Sequence, residues 1–171
     1  MSGSQQPPER PLDLLALLRM LAEHGVEHLV IGGIAVQVHG HRRTTKDLDV
    51  IPAPHPGNHE RLARALEALD ARVSGVDPEA VDLPVSDPER LRIAAVLPPL
   101  VTRHGELHVL NAPKGADDYD AMRSRALVVE IEGIEVAIAG LDDLIRMKHA
   151  SARQSDLDDI AVLTAIERDA G

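Results

Sequence analysis

Two aspartates separated by one residue, Asp47 and Asp49, are the residues whose type and spacing point most directly to chemistry. They lie in the run Asp47-Leu48-Asp49-Val50-Ile51, which predicts a short strand that ends at Pro52. Side chains alternate along a strand, so both carboxylates point to the same face. Two neighbouring carboxylates repel each other unless a cation joins them, and Mg²⁺ with a nucleoside triphosphate is the usual solution.

A Gly-Gly pair precedes these aspartates and separates a predicted strand from a predicted helix. The strand covers Glu27–Ile31, and the helix runs from Ile34 to about His39. A helix N-terminus presents unpaired amides and the positive end of the helix dipole, and Gly32 and Gly33 leave room for phosphate oxygens to reach the backbone. The pair belongs to neither a GxGxxG dinucleotide fingerprint nor a P-loop with GK[ST].

The stretch from residue 41 to residue 46 is the most basic part of the chain. Within it, Arg43 and Lys46 lie just ahead of the aspartate strand, where they can offset the charge of a triphosphate. Thr45 shares the face of Asp47 if the strand extends back to it, and a hydroxyl there can orient the triphosphate.

Together these residues resemble the DNA polymerase β-type nucleotidyltransferase superfamily. More narrowly, Gly32-Gly33-x-Ala35 followed by Arg43-x-Thr45-x-Asp47-x-Asp49 is similar to the AbiEii-like nucleotidyltransferases, many of which belong to bacterial abortive-infection or toxin–antitoxin systems. The resemblance covers roughly residues 26–51 and 106–163. It implies an α/β (α+β) nucleotidyltransferase-like fold, Mg²⁺ or Mn²⁺ held by Asp47 and Asp49, and a nucleoside triphosphate as substrate.

A second motif lies near the C-terminus. Leu141, Leu144, Ile145 and Lys148 share one helical stripe, so the lysine points toward the protein body and needs an anion, either a triphosphate or a carboxylate. The resemblance implies that Lys148 contacts the nucleotide phosphates and that Asp156, on the next helix, shapes the site. Asp156 and Asp159 fall on one face of that helix, although Asp158 and Asp159 are expected to be solvated acids.

One position departs from the superfamily pattern. A third carboxylate is usual on a neighbouring strand, and the candidate strand Glu106–Leu110 carries His108 where related sequences tend to have Asp. Three alternatives follow. Glu106, on the same face, substitutes for the missing acid; His108 acts as the base, since its ordinary pKa is near 6.5; or the chain no longer catalyses transfer.

Composition excludes several other classes of protein. The chain has 171 residues, of which 44% are apolar, with one Tyr and no Phe, Trp or Cys. Disulfides and thiolate metal sites are therefore excluded, and base stacking on aromatic platforms is disfavoured. A net charge of −10 argues against general coating of nucleic acid. No membrane span and no secretory signal are recognisable, so a cytoplasmic location and no membrane partner are expected.

The pattern predicts a disordered tail at residues 1–10 and a single nucleotidyltransferase-like domain at 11–171. Its sheet is expected to be short and mixed, with about five strands and helices packed on it. Helices are predicted around residues 14–24 and 58–70, and near 116–125. Strands are predicted at 96–101 and 106–110, with a hairpin at 127–138. Two helices close the chain, at about 141–150 and from Ser155, whose hydroxyl is expected to cap it with Asp158 three residues on.

Two functions are compatible with these features. The first is a Mg²⁺-dependent enzyme that transfers a nucleoside monophosphate from an NTP to a hydroxyl of RNA, including tRNA, or of a protein, in a toxin–antitoxin setting. Asp47 and Asp49 would hold the metal, while the Gly32 and Gly33 amides, Arg43 and Lys148 would hold the β- and γ-phosphates. The second is a catalytically weak or inactive module that binds a nucleotide or a cognate partner.

Overall fold

A computed structural model of the chain describes residues 10–77 and 84–171. These residues form helices α1 to α7 and strands β1 to β7. The helices are α1 Leu14–Glu23, α2 Gly32–Val38, α3 Pro56–Ala68, α4 Pro88–Ile93, α5 Tyr119–Ser124, α6 Leu141–Ser151 and α7 Gln154–Ala170. The strands are β1 His28–Ile31, β2 Asp47–Pro52, β3 Arg72–Val73, β4 Leu100–Thr102, β5 Gly105–Val109, β6 Leu127–Ile131 and β7 Ile134–Ile138.

The strands of the described residues form one mixed sheet in the order β3-β4-β5-β2-β1-β7-β6. Strand β2 lies at its centre, antiparallel to β1 and parallel to β5. The C-terminal end of β1 therefore meets the N-terminal ends of β2 and β5 at one edge of the sheet. The mixed α/β sheet is confirmed, but it has seven strands where about five were expected.

Aliphatic side chains build the core, as a chain nearly without aromatic residues requires. Leu17, Leu18 and Leu21 of α1 pack in the same cluster as residues of β1 and β2, and all three are at most 1% exposed. Each such leucine contributes about 1.5–3 kcal/mol through burial. Gly25, in a left-handed conformation with φ of 68°, follows α1 as the sequence predicts.

Two boundary predictions are wrong. The strand predicted at 96–101 shrinks to Leu100–Thr102, because two consecutive prolines, at 98 and 99, have no N–H to donate to a ladder. Helix α7 begins one residue earlier than predicted and is capped at Arg153, whose backbone N–H donates to the Asp156 carboxylate at 3.1 Å. Ser155 is therefore inside the helix and does not cap it.

The predicted disordered tail, apart from Arg10, lies outside the described residues. No helix within residues 10–77 and 84–171 combines the length and the apolar character needed to cross a membrane.

Candidate active site

The junction between β1 and α2 is shaped by two glycines. Gly32 has φ of 65°, and a Cβ at this position would lie 2.0 Å from Asp49 Oδ2. A Cβ on Gly33 would lie 2.7 Å from Thr45 Oγ1. Because the two glycines have no side chains, the side chains of Asp49 and Thr45 can lie close to the start of α2. The sequence predicts that phosphate oxygens use the same space.

Four ionisable side chains converge beside this junction. The parallel pairing of β2 with β5 sets Asp47 opposite Glu106 and Asp49 opposite His108. The imidazole Nδ1 of His108 lies 3.0 Å from Asp49 Oδ1, and its Nε2 lies 3.3 Å from Glu106 Oε1 and 3.7 Å from Asp47 Oδ2. The structure therefore brings together both predicted metal ligands and both candidates for the third position.

Thr45 joins this group from the loop before β2. The strand starts at Asp47 and does not extend back to Thr45, but the threonine Oγ1 lies 3.2 Å from Asp47 Oδ1 and donates a hydrogen bond to it.

The electrostatics of the four groups favour a cation among them. Burial, followed by the charge of Asp49, raises the pKa of Asp47 above its ordinary value. The hydrogen bond to Asp49 and the nearby carboxylates raise the pKa of His108 to about 9, against the opposing effect of burial. Near pH 7 the imidazole is consequently protonated, and its charge offsets part of the repulsion among the carboxylates.

A second charged cluster connects α6, α7 and the loop of residues 41–46, here called the basic loop. Lys148 Nζ lies 2.9 Å from both Asp156 Oδ1 and Asp159 Oδ2. Arg43 also donates to the Asp159 carboxylate, and His41 Nε2 lies 3.4 Å from its Oδ1. Asp159 is 1% exposed, so a single buried carboxylate holds three basic side chains.

Asp159 is the residue that sequence reasoning missed, because the expectation of a solvated acid there is wrong. The available signal was its position three residues after Asp156 and four before Leu163, which are also buried on the same helix. The anion that Lys148 needs is supplied in this structure by the carboxylates of Asp156 and Asp159.

A family model identifies the class of protein. The model described as a nucleotidyltransferase of unknown function, DUF6036, matches residues 12–168. The chain belongs to this family. It is therefore a nucleotidyltransferase, as the run Asp47-x-Asp49 and its surroundings predict. The narrower similarity to AbiEii-like enzymes stays a prediction.

Solved structures share the fold of this nucleotidyltransferase. The solution structure of the antibiotic-resistance factor ANT(2'')-Ia has a TM-score of 0.57 and 15% identity, over 89% of this chain and 80% of that chain. The crystal structure of an antigenic nucleotidyltransferase-like protein from Paracoccidioides brasiliensis has a TM-score of 0.51 and 14% identity, over 86% and 72%. At these identities the similarity establishes the nucleotidyltransferase-like fold alone. No curated protein matches the chain.

The donor set beside the glycines fits a divalent cation. One ligand atom each from Asp47, Glu106 and His108 lies within 4.8 Å of the others, and Asp49 adjoins the same imidazole. Carboxylate oxygens suit Mg²⁺ and Mn²⁺, whereas an imidazole ligand is more typical of iron, nickel, copper and zinc. A cation bound here would take over the charge that protonated His108 supplies.

Proposed function

We propose that this nucleotidyltransferase transfers a nucleoside monophosphate from an NTP to a hydroxyl group of RNA or protein, with Mg²⁺ or Mn²⁺ as cofactor. The convergence of Asp47, Asp49 and Glu106 at one edge of the sheet supports the proposal most directly. Three carboxylates on two adjacent strands repel one another, and burial together with that repulsion raises the pKa of Asp47. A cation bound among the three carboxylates would offset this repulsion.

In this proposal Asp47 and Asp49 hold the cation, and Glu106 and His108 complete its surroundings. When bound, the cation neutralises charge that develops on the phosphates during transfer. Thr45, which donates to Asp47, fixes the orientation of that carboxylate and contacts the triphosphate.

The β- and γ-phosphates are assigned to Arg43 and Lys148. Both cations are held by Asp159, and the side chain of Lys148 is 14% exposed and that of Arg43 29% exposed. Partly buried cations interact with phosphate more strongly than fully solvated ones, because less water screens the charge. The Gly32 and Gly33 amides remain the predicted backbone donors.

The transfer step requires a proton acceptor near the attacking hydroxyl. The acceptor oxygen forms a bond to the α-phosphorus, the bond from that phosphorus to the bridging oxygen breaks, and pyrophosphate leaves. We assign the hydroxyl proton to the Glu106 carboxylate. His108 is less suited to this role, because the hydrogen bond to Asp49 raises its pKa to about 9 and keeps it protonated near pH 7.

A transfer assay tests this function. The protein is incubated with each α-labelled NTP, Mg²⁺ or Mn²⁺, and RNA or protein acceptors, beside Asp49→Asn and the matched control Asp158→Asn, an exposed acid of α7. Labelled product is expected from the wild type and the control and not from Asp49→Asn. Product from all three proteins contradicts the assignment, as does product from none.

The absence of transfer would leave the alternative of a nucleotide-binding module. His108, which replaces the usual third carboxylate and pairs with Asp49, is the observation that favours it. Thermal stabilisation by an NTP and Mg²⁺ without labelled product, lost in Asp49→Asn, would identify that module. The toxin–antitoxin setting and the cytoplasmic location are proposals that rest on the sequence resemblance and on sequence pattern.

A further inference from the structure

A cavity of about 450 Å³ opens beside the carboxylate face of β2 and β5. Glu106 and Thr45 line it on the side of the proposed metal site. Lys46 lines it from the basic loop, Ile34 and Gln37 from α2, and Arg10 with the two following residues from the N-terminal segment. We propose that this cavity is the acceptor site and that it binds a terminal ribonucleotide, whose phosphate lies next to the attacking hydroxyl. This inference rests on the proposed function.

The cavity is distinct from the recess lined by Arg43, one of the two cations assigned to the triphosphate. Arg43 lines a different recess, with His41 and Arg42, and Gln37 borders both recesses. The Gln37 side chain donates to the backbone carbonyl of Arg43, so it is fixed between the two spaces. Arg43, assigned to the donor phosphates, and Glu106, assigned to the hydroxyl proton, therefore line different recesses, and the cavity leaves separate space for an acceptor.

The charge of the cavity selects a phosphate-bearing acceptor. The chain has a net charge of −10, yet two of the three charged residues that line this space, Arg10 and Lys46, are basic, and the third is Glu106. Arginine and lysine are the usual partners of nucleic-acid phosphates, and a serine or tyrosine hydroxyl on a protein brings no phosphate with it. The volume is also within the range of pockets that enclose one small ligand.

The N-terminal wall of the cavity is built into the fold. The backbone N–H of Asp13 donates to the carbonyl of His104 at 2.9 Å, which attaches the segment before α1 to the turn between β4 and β5. Gly105, the first residue of β5, has φ of 107°, and a Cβ there would lie 2.8 Å from Leu12 Cα. Close backbone packing therefore holds Arg10 near the cavity mouth.

Acceptor kinetics with charge variants test the inference. The full chain is assayed with a labelled NTP and a short RNA that has a free 3′ hydroxyl, and KM is measured separately for RNA and for NTP. Lys46→Gln and Arg10→Gln are each expected to raise the RNA KM about tenfold, the effect of losing one charge-assisted hydrogen bond, with the NTP KM unchanged. Arg64→Gln, at an exposed position of α3, removes the same charge elsewhere and is expected to change neither value.

Three acceptors distinguish failure of this inference from failure of the proposed function: the RNA with a free 3′ hydroxyl, the same RNA with a blocked 3′ end, and a protein mixture. Product on the free-ended RNA alone, with the expected KM changes, supports the acceptor site. Product only on protein overturns it and leaves nucleotidyl transfer intact, as does a rise in NTP KM with the RNA KM unchanged. Product on none of the three contradicts the proposed function itself.

Discussion

Replacing Gly32 by alanine places a methyl group where the Asp49 carboxylate now lies. The new Cβ would be 2.0 Å from Asp49 Oδ2, whereas real Cβ atoms keep at least 3.0 Å from such neighbours. The carboxylate or the strand must therefore retreat by about 1 Å. Because metal–ligand distances are held to about 0.2 Å, a shift of this size removes Asp49 from any shared coordination sphere.

The same substitution also strains the backbone, and a second glycine isolates that contribution. A residue with a Cβ costs about 1–2 kcal/mol in the left-handed region. Gly133, in the turn between β6 and β7, has φ of 79°, close to the 65° of Gly32, but no heavy atom of the described residues lies within 4 Å of the point that its Cβ would occupy. Gly133→Ala therefore carries the backbone strain without the collision.

Urea unfolding and Mn²⁺ titration by electron paramagnetic resonance measure the two effects. Gly133→Ala is expected to lose about 1–2 kcal/mol of unfolding free energy and to bind Mn²⁺ as the wild type does. Gly32→Ala is expected to lose more stability and at least about tenfold in Mn²⁺ affinity. Wild-type Mn²⁺ affinity in a folded Gly32→Ala protein, or equal losses of affinity in the two variants, would refute the reasoning.

Three further predictions concern buried and half-buried polar groups. Asp159→Asn leaves Arg43 without its carboxylate and is expected to lower the free energy of unfolding in urea by about 3 kcal/mol. The exposed control Asp158→Asn should change it by less than about 0.5 kcal/mol. Equal effects of the two substitutions would contradict the ion-pair network. In metal-free protein, the raised pKa of His108 implies a stabilisation that is complete below pH 6.5 and lost as pH rises through about 9. A titration followed by nuclear magnetic resonance should give a pKa near 9 for His108, and His108→Gln should lack this pH dependence of stability. A pKa of 6.5 would exclude the ion pair of His108 with Asp49. Asn58→Ala removes hydrogen bonds of 2.8 Å to both backbone groups of Glu27 and should cost about 3 kcal/mol; a loss below about 1 kcal/mol would show that the site relaxes or admits water.

Local pattern was sufficient for the elements that carry the aspartates. The apolar run before Gly32 and the alternation around Asp49 predict strand, helix and strand, and the structure has all three with ends within two residues of those predicted. The glycine pair, predicted as a turn before the helix, instead forms the first two residues of α2. The hairpin at 127–138 is confirmed, since Leu127–Ile131 pairs antiparallel with Ile134–Ile138 across the turn at Gly133.

Tertiary context decided what the pattern could not. Strand β3 has only two residues, Arg72 and Val73, which is too short for periodicity to be visible. The cap of α7 at Arg153 depends on a contact with Asp156 that competes with the local signal of Ser155. The burial of Asp159 depends on α6 and the basic loop closing over it, and neither is adjacent to it in sequence.

The candidate site was predictable residue by residue but not as a geometry. Asp47 and Glu106 are far apart in the chain and meet because β2 and β5 pair in parallel, which no local spacing determines. The same pairing places His108 against Asp49, so the departure from the usual carboxylate becomes an ion pair. Sequence left Glu106 and His108 as alternatives, and the structure puts both beside the aspartates.

The most direct test of the central claim is a crystal structure of the protein with Mn²⁺ and a non-hydrolysable NTP, with the metal located by anomalous scattering. Mn²⁺ is expected in direct coordination with Asp47 and Asp49, with the terminal phosphates beside Arg43 and Lys148. An anomalous peak elsewhere, or a nucleotide bound away from the two aspartates, would contradict the assignment of this edge of the sheet as the active site.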